Sequence, residues 1–178
     1  MRLRRRYALL APPLLILGLG VSAPQAAAEV TAPTITESHY DNTGTDAGEA
    51  IEVEAPDGFD LTGWQIVLYN GDAAGAVYDT KTLSGVVPAA GVAVQSYPAN
   101  GIQNGPSDGI ALARPDGTLA EFLSYEGTLT GSAGPASGVT STDIGVAEVS
   151  TTPVGFSLQK VDGTWREPAP AHSGTRNA

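Results

Sequence analysis

The sequence predicts an all-β protein, an antiparallel sandwich of two sheets, with a closed barrel as the alternative. Three observations carry this prediction. Short runs alternate apolar and polar residues with a period of two, as half-buried strands do. No apolar period of 3.6 survives the roughly 10 to 12 residues that a helix needs, because 22 glycines and 13 prolines interrupt the 178-residue chain. Without helices to cover parallel crossovers, neighbouring strands should run antiparallel.

The chain opens on Arg2-Leu-Arg-Arg-Arg6, an apolar run from Tyr7 to Val21, and the small residues Ala26-Ala27-Ala28. This is the layout of an export signal. Cleavage is expected before Glu29, with Ala23 as a second site, giving a signal peptide at 1–28 and one domain at 29–178. The run is broken by Pro12-Pro13 and falls short of the roughly 20 apolar residues that span a bilayer, which argues against a retained anchor. Arg4-Arg5 matches a twin-arginine signal only in part, so the export route stays open.

Along the expected mature chain, Ile51-Glu-Val-Glu54 sets two aliphatic residues against two carboxylates. Trp64, Ile66 and Leu68 share a face opposite Gln65, Val67 and Tyr69. The period recurs at Val92 and Val94, Ile110 and Leu112, Leu119 and Leu123, and Phe156 and Leu158, for a total of about eight strands. Pro56-Asp-Gly58, Asn70-Gly71, Asn100-Gly101, Pro115-Asp-Gly117 and Asp162-Gly163 read as turns, and Arg114-Pro-Asp-Gly-Thr118 as a hairpin. The segment from Gly127 to Gly155 is a long Gly/Ser/Thr-rich loop, read as a surface excursion pinned at Ile144 and Val146 or as a binding loop. From Pro168 the chain reads as a loop-like tail that frays after Asn177.

Removal of residues 1–28 leaves five basic residues against nineteen acidic ones, a net charge of −14. Lys81, Arg114, Lys160, Arg166 and Arg176 are scattered singly, with no basic stripe. Direct nucleic-acid binding is not expected of such a surface. There is no cysteine, which excludes disulfides and thiolate chemistry. About 150 residues suffice for one core.

Catalytic candidates are few. His39 falls in an alternating strand, where it should be half-exposed, and His172 falls in the tail, where it should be solvated. No Gly-x-Ser-x-Gly elbow presents a nucleophile, and no phosphate loop or zinc motif occurs. Glu52 and Glu54 read as the polar face of one strand. The one ligand constellation is Asp41-Asn-Thr-Gly-Thr-Asp-Ala-Gly-Glu49, whose Asp41, Asn42, Asp46 and Glu49 could offer oxygens to calcium. It is not an EF-hand, since Asp46 stands where that loop requires glycine. A plain acidic turn has the same composition.

Several pieces in order, Glu37-Ser-His-Tyr-Asp-Asn42, Gly48-Glu49, Ile51-Glu-Val53, Asp60-Leu-Thr-Gly-Trp64, Leu68-Tyr-Asn-Gly71, Gly101-Ile-Gln-Asn-Gly105, Asp108-Gly109, Phe122-Leu-Ser-Tyr-Glu-Gly127, Ser157-Leu-Gln159 and Trp165, resemble the lamin tail domain family in its secreted bacterial form. The resemblance implies an immunoglobulin-like sandwich. It transfers no catalytic set, since the family's matching residues are architectural. The segment from His172 to Asn177 departs from the family's usual close, which leaves the last strand's pairing open. Trp64 should fill the space between the sheets, and Tyr69 and Tyr125 should bury their rings with hydroxyls left wet. The expectation is a secreted, extracellular, non-catalytic module, a monomer free of the membrane, that meets a protein or cell-surface partner and needs no cofactor beyond the candidate calcium. The rival is a small secreted hydrolase or the accessory domain of an extracellular nuclease or phosphoesterase.

The export reading has a direct test. N-terminal sequencing of protein from culture supernatant should begin at or near Glu29, and a membrane-retained product beginning at Met1 would refute cleavage.

Overall fold

The computed structural model describes residues 31–89 and 91–178, so the expected signal peptide lies outside the described residues. Ten strands follow one another: β1 (Thr34–His39), β2 (Ala50–Glu54), β3 (Gln65–Asn70), β4 (Ala76–Thr82), β5 (Val92–Ser96), β6 (Gly109–Ala113), β7 (Leu119–Ser124), β8 (Thr142–Asp143), β9 (Phe156–Val161) and β10 (Thr164–Pro170). They form two five-stranded sheets, ordered β10-β9-β1-β2-β5 and β4-β3-β6-β7-β8. All pairings are antiparallel except the short parallel contact of β7 with β8. The fold is therefore an immunoglobulin-like antiparallel β-sandwich, and the two separate sheets replace the alternative of a closed barrel.

The inward faces meet in one core that includes Ile35, Ile51, Val53, Trp64, Ile66, Leu68, Ile110, Leu112, Leu123 and Leu158. Local chemistry delivers Trp64 to it. Its N–H donates to the carbonyl of Leu61 across a tight turn. Gly63 holds φ at +84°, and a Cβ there would press on the Pro115 ring at 3.2 Å. The turn thus needs glycine twice over, for conformation and for space. The expected hairpin joins β6 to β7. Asp116 Oδ1 accepts from the Thr118 N–H at 2.9 Å and its hydroxyl at 2.7 Å.

Both sheets are also covered on their outward faces, contrary to simple alternation. On the second sheet Val67, Tyr69, Ala111 and Phe122 form a second core with Leu129 and Ala136. Those last two belong to the long 127–155 segment, which therefore acts as a lid on the sheet rather than as a surface excursion. The pinning at Ile144 and Val146 is found, since both pack against the main core. The Tyr69 hydroxyl is not wet: it donates to the Ala133 carbonyl at 3.0 Å and accepts from the Ala136 N–H at 3.0 Å. Tyr125 is likewise buried, its hydroxyl donating to the carbonyl of Gln103.

On the first sheet the cover is the C-terminal tail. β10 pairs with β9 as far as Pro170, so Pro168 belongs to a strand and not to a loop. Beyond it the Gly174 N–H donates to Glu52 Oε1 at 2.7 Å, Arg176 pairs with Glu54 at 2.9 Å, and Asn177 donates to the Thr36 carbonyl at 2.9 Å. These contacts tie the tail down through Asn177. Glu52 is only 2% exposed, which overturns its assignment to a solvated polar face.

A bulge in β1 determines what lies under the tail. Ile35 opposes Val53 and Glu37 opposes Glu52, so one extra residue, Thr36, stands in β1 between two consecutive residues of β2. A bulge reverses facing beyond it. Ile35 points into the core, while Glu37 and His39 point outward beside Glu52 and Ala50.

Trp64→Ala should cost roughly 3 to 5 kcal/mol through loss of burial and a residual cavity. Chemical denaturation measures it, and a change under about 1 kcal/mol would refute the placement of Trp64 between the sheets.

Candidate functional site

The end of β1 and the loop after it are organised around one side chain from the far end of the long segment. Glu148 is 1% exposed. Its Oε2 accepts the backbone N–H groups of Tyr40 at 2.6 Å and Asp41 at 3.0 Å. Its Oε1 lies 2.8 Å from His39 Nδ1. Its own N–H donates to the Tyr40 hydroxyl at 2.8 Å, and the Tyr40 ring stacks on Tyr125 at 3.9 Å.

His39 is buried at 5% exposure rather than half-exposed. Its Nε2 faces Asn42 Oδ1 at 3.1 Å and the Ala47 carbonyl at 3.2 Å. Asn42 has its amide fixed the other way, Nδ2 donating to the Thr43 and Thr45 carbonyls and Oδ1 accepting from the Ala47 N–H. Both ring nitrogens therefore face acceptors only, and both must carry protons. Burial alone would push the imidazolium pKa down, but the hydrogen bonds and charge of Glu148, Asn42 and Ala47 outweigh it, and the net shift is upward. The ring is a buried imidazolium clamped by a carboxylate, not a base with a free nitrogen. His172 is exposed, as expected, with Nδ1 3.1 Å from Gln159 Oε1.

The candidate calcium residues are placed as follows. Asp41, Asn42 and Asp46 gather in the 41–46 turn, while Glu49 turns away to the 98–102 turn. Asp46 Oδ1 accepts from the Asn42 N–H at 3.1 Å and Oδ2 from the Asn104 amide at 3.1 Å. Glu49 Oε2 accepts from the N–H groups of Gly101 and Ile102 at 2.7 and 2.9 Å. Burial raises the pKa of Asp41, and the neighbouring Asp46 charge adds to this. Among the described residues no group of three His, Asp or Glu side chains is set to hold a metal. Both Asp46 oxygens and Glu49 Oε2 accept from N–H donors that shape the turns, while Glu49 Oε1 is buried with no hydrogen-bond partner among the described residues.

A hollow of about 260 Å³ opens next to this knot, on the outward face of the first sheet. Glu37, His39 and Glu52 line it, with apolar surface from Ala47, Ala50 and Phe156. Ala171 and Ser173 of the tail and Val154 of the long segment also line it. Glu37 and Glu52 are 4% and 2% exposed. Each has one engaged oxygen: Glu37 Oε1 accepts from Ser157 Oγ at 2.6 Å, and Glu52 Oε1 from Gly174. The other oxygen of each, Oε2, is buried with no hydrogen-bond partner among the described residues. Burial, with the Glu37 charge adding to it, pushes Glu52 up to about 7, and burial also raises Glu37.

Sequence reasoning missed Glu37 and Glu148 and misassigned Glu52. Glu148 had one legible signal, since it and Asp143 are the only charged residues between Gly127 and Gly155. A carboxylate set between Val146 and Val149, in a loop whose only other charge is Asp143, marks an anchor. Glu37 had none, because the bulge that turns it outward depends on pairing with β2. Compared with known protein families, curated proteins and solved structures, the chain matches none.

Glu148→Ala should cost about 3 to 5 kcal/mol, the usual result of removing one partner of a buried ion pair. Stability should also fall as pH rises from about 5 to 8. The native state holds Glu52 and Glu37 protons that the unfolded chain releases near 4.5, so stability declines above that pH. The His39 contribution is complete below its ordinary 6.5 and is lost as pH rises through its raised native value. Urea midpoints measured across this range check the sign, and a midpoint that climbs with pH would contradict it.

Proposed function

We propose that the protein is a secreted, non-catalytic module of the lamin tail type, a β-sandwich that holds a protein or cell-surface partner on one face. The observation that carries this reading is the hollow under the tail. It combines a mostly apolar lining with a few buried polar groups, the composition of binding sites. The chemistry around it supports binding over turnover. His39, the only histidine in the hollow's lining, has both nitrogens committed to acceptors. Ser157 Oγ donates to the Glu37 carboxyl and has no histidine partner among the described residues, so no Ser-His pair stands in the hollow.

The second reading, a small secreted hydrolase or an accessory domain of a nuclease or phosphoesterase, draws on the same Glu37–Glu52 pair, since two carboxyls of unlike environment can act as acid and base. Purified protein assayed against nucleic acids, phosphoesters, esters and glycosides, with and without divalent metal, separates the two. The binding-module reading expects no turnover above background. Metal-dependent turnover abolished by His39→Ala would replace it with the hydrolase.

A further inference from the structure

We propose that the hollow beneath the C-terminal tail is a receptor for a primary ammonium group, the head of a lysine side chain presented by a protein partner. This rests on reading the protein as a binding module and names what that module recognises.

Two carboxyls form the floor of the proposed site. Glu37 and Glu52 stand directly opposite each other on β1 and β2, where side chains on one face are separated by only about 4.5 to 5.5 Å at Cβ. Both line the hollow, and each keeps a buried oxygen without a partner. Two carboxylates this close in apolar surroundings cannot both ionise without a counter-charge. In the free protein a proton meets that need, in keeping with the raised pKa of both groups. A cationic head would replace the proton.

Size and lining then narrow the cation. A hollow of about 260 Å³ falls below the roughly 300 to 1,000 Å³ of pockets for drug-sized ligands, so it suits one thin chain. Ala47, Ala50 and Phe156 give that chain apolar walls, as a lysine stem prefers. An ammonium offers three rotatable donors on a compact head, whereas a guanidinium needs a planar fork of acceptors. A calcium ion needs 6 to 8 oxygen ligands, which this mostly apolar lining lacks. Val154, 65% exposed at the rim, offers an apolar footing for the partner surface around the lysine. The expected mature charge of −14 draws cations toward the protein.

Charged groups around the pair set the pH response. His39 lies beside it on β1, already neutralised by Glu148, and His172 of the tail acts on Glu37. Binding should require release of the shared proton, so affinity should weaken below pH 7, by roughly tenfold per unit at most.

The full secreted chain is titrated at about pH 8 with Nα-acetyl-lysine methylamide, its Nε-acetylated form, 1,5-diaminopentane and tetramethylammonium, by calorimetry and by amide NMR at Ser157 and Gly174. All titrations are run at matched ionic strength. The proposal expects saturable binding of the lysine derivative, loss of at least tenfold on Nε-acetylation, and a similar loss in Glu52→Gln. Should Glu52→Gln fail to fold, Ala50→Leu keeps both carboxyls and fills the hollow, and it should abolish binding. Equal response to tetramethylammonium, or undiminished binding in both variants, would show mere surface attraction and overturn the proposal. Diaminopentane binding tenfold tighter than the lysine derivative would overturn the lysine assignment in favour of a free polyamine. Absence of ammonium binding together with absence of turnover removes this inference and leaves the binding-module reading standing. Metal-dependent turnover removes that reading itself.

Discussion

The buried carboxylate of Glu148 is the contact on which the rest of the arrangement depends. It reaches back more than a hundred residues to satisfy the N–H groups of Tyr40 and Asp41 and the imidazolium of His39. Those N–H groups lie just past the end of β1, where the ladder no longer supplies partners, and a buried N–H left unpaired costs roughly 1 to 3 kcal/mol. One residue thus caps a strand, charges a histidine and fixes the far end of the long segment. Because His39 then orients Asn42, and Asn42 the backbone at Ala47, the same contact shapes the wall of the hollow.

The two outward coverings follow different physics. The second sheet is covered by apolar contact, Leu129 and Ala136 packing on Val67 and Phe122, with Tyr69 tying the lid down through its hydroxyl. Gly75 is part of this fit: it holds φ at +74°, and a Cβ there would collide with the Thr130 carbonyl. The first sheet is covered by polar contact, the tail meeting Glu52, Glu54, Gln159 and the Thr36 carbonyl. A polar cover leaves gaps where an apolar one closes, and the hollow is such a gap.

The sandwich was legible in the sequence because inward residues such as Ile51 and Val53, Trp64, Ile66 and Leu68, and Ile110 and Leu112 obey the period of two, and because turns such as Arg114-Pro-Asp-Gly-Thr118 carry their own chemistry. Leu119 departs from that period, packing on the outward core while Leu123 faces inward. The outward faces were not legible in the same way. Val67 read only as lying opposite the inward face of β3, Tyr69 as keeping its hydroxyl wet, and Glu52 as the polar side of β2, since local alternation holds no record of what a distant segment covers. Val92 and Val94 misled in the opposite sense. Val94, paired with Glu52, lies on the outward face and is 41% exposed. At the site, composition and glycine spacing grouped Asp41, Asn42, Asp46 and Glu49, of which Glu49 instead accepts from Gly101 and Ile102, and the donors that hold these oxygens are backbone and amide groups that composition does not single out.

The central claim is that His39 is a buried imidazolium held by Glu148, and the charge state of its ring tests this most directly. Side-chain ¹⁵N NMR of His39 near pH 7, where an ordinary histidine of pKa about 6.5 is mostly neutral, reports each ring nitrogen separately. The structure predicts both nitrogens protonated, with a single imidazolium signature that persists until the pH is raised further. A neutral ring with one bare nitrogen at that pH would contradict the account, for it would leave Asn42 Oδ1 or Glu148 facing a lone pair.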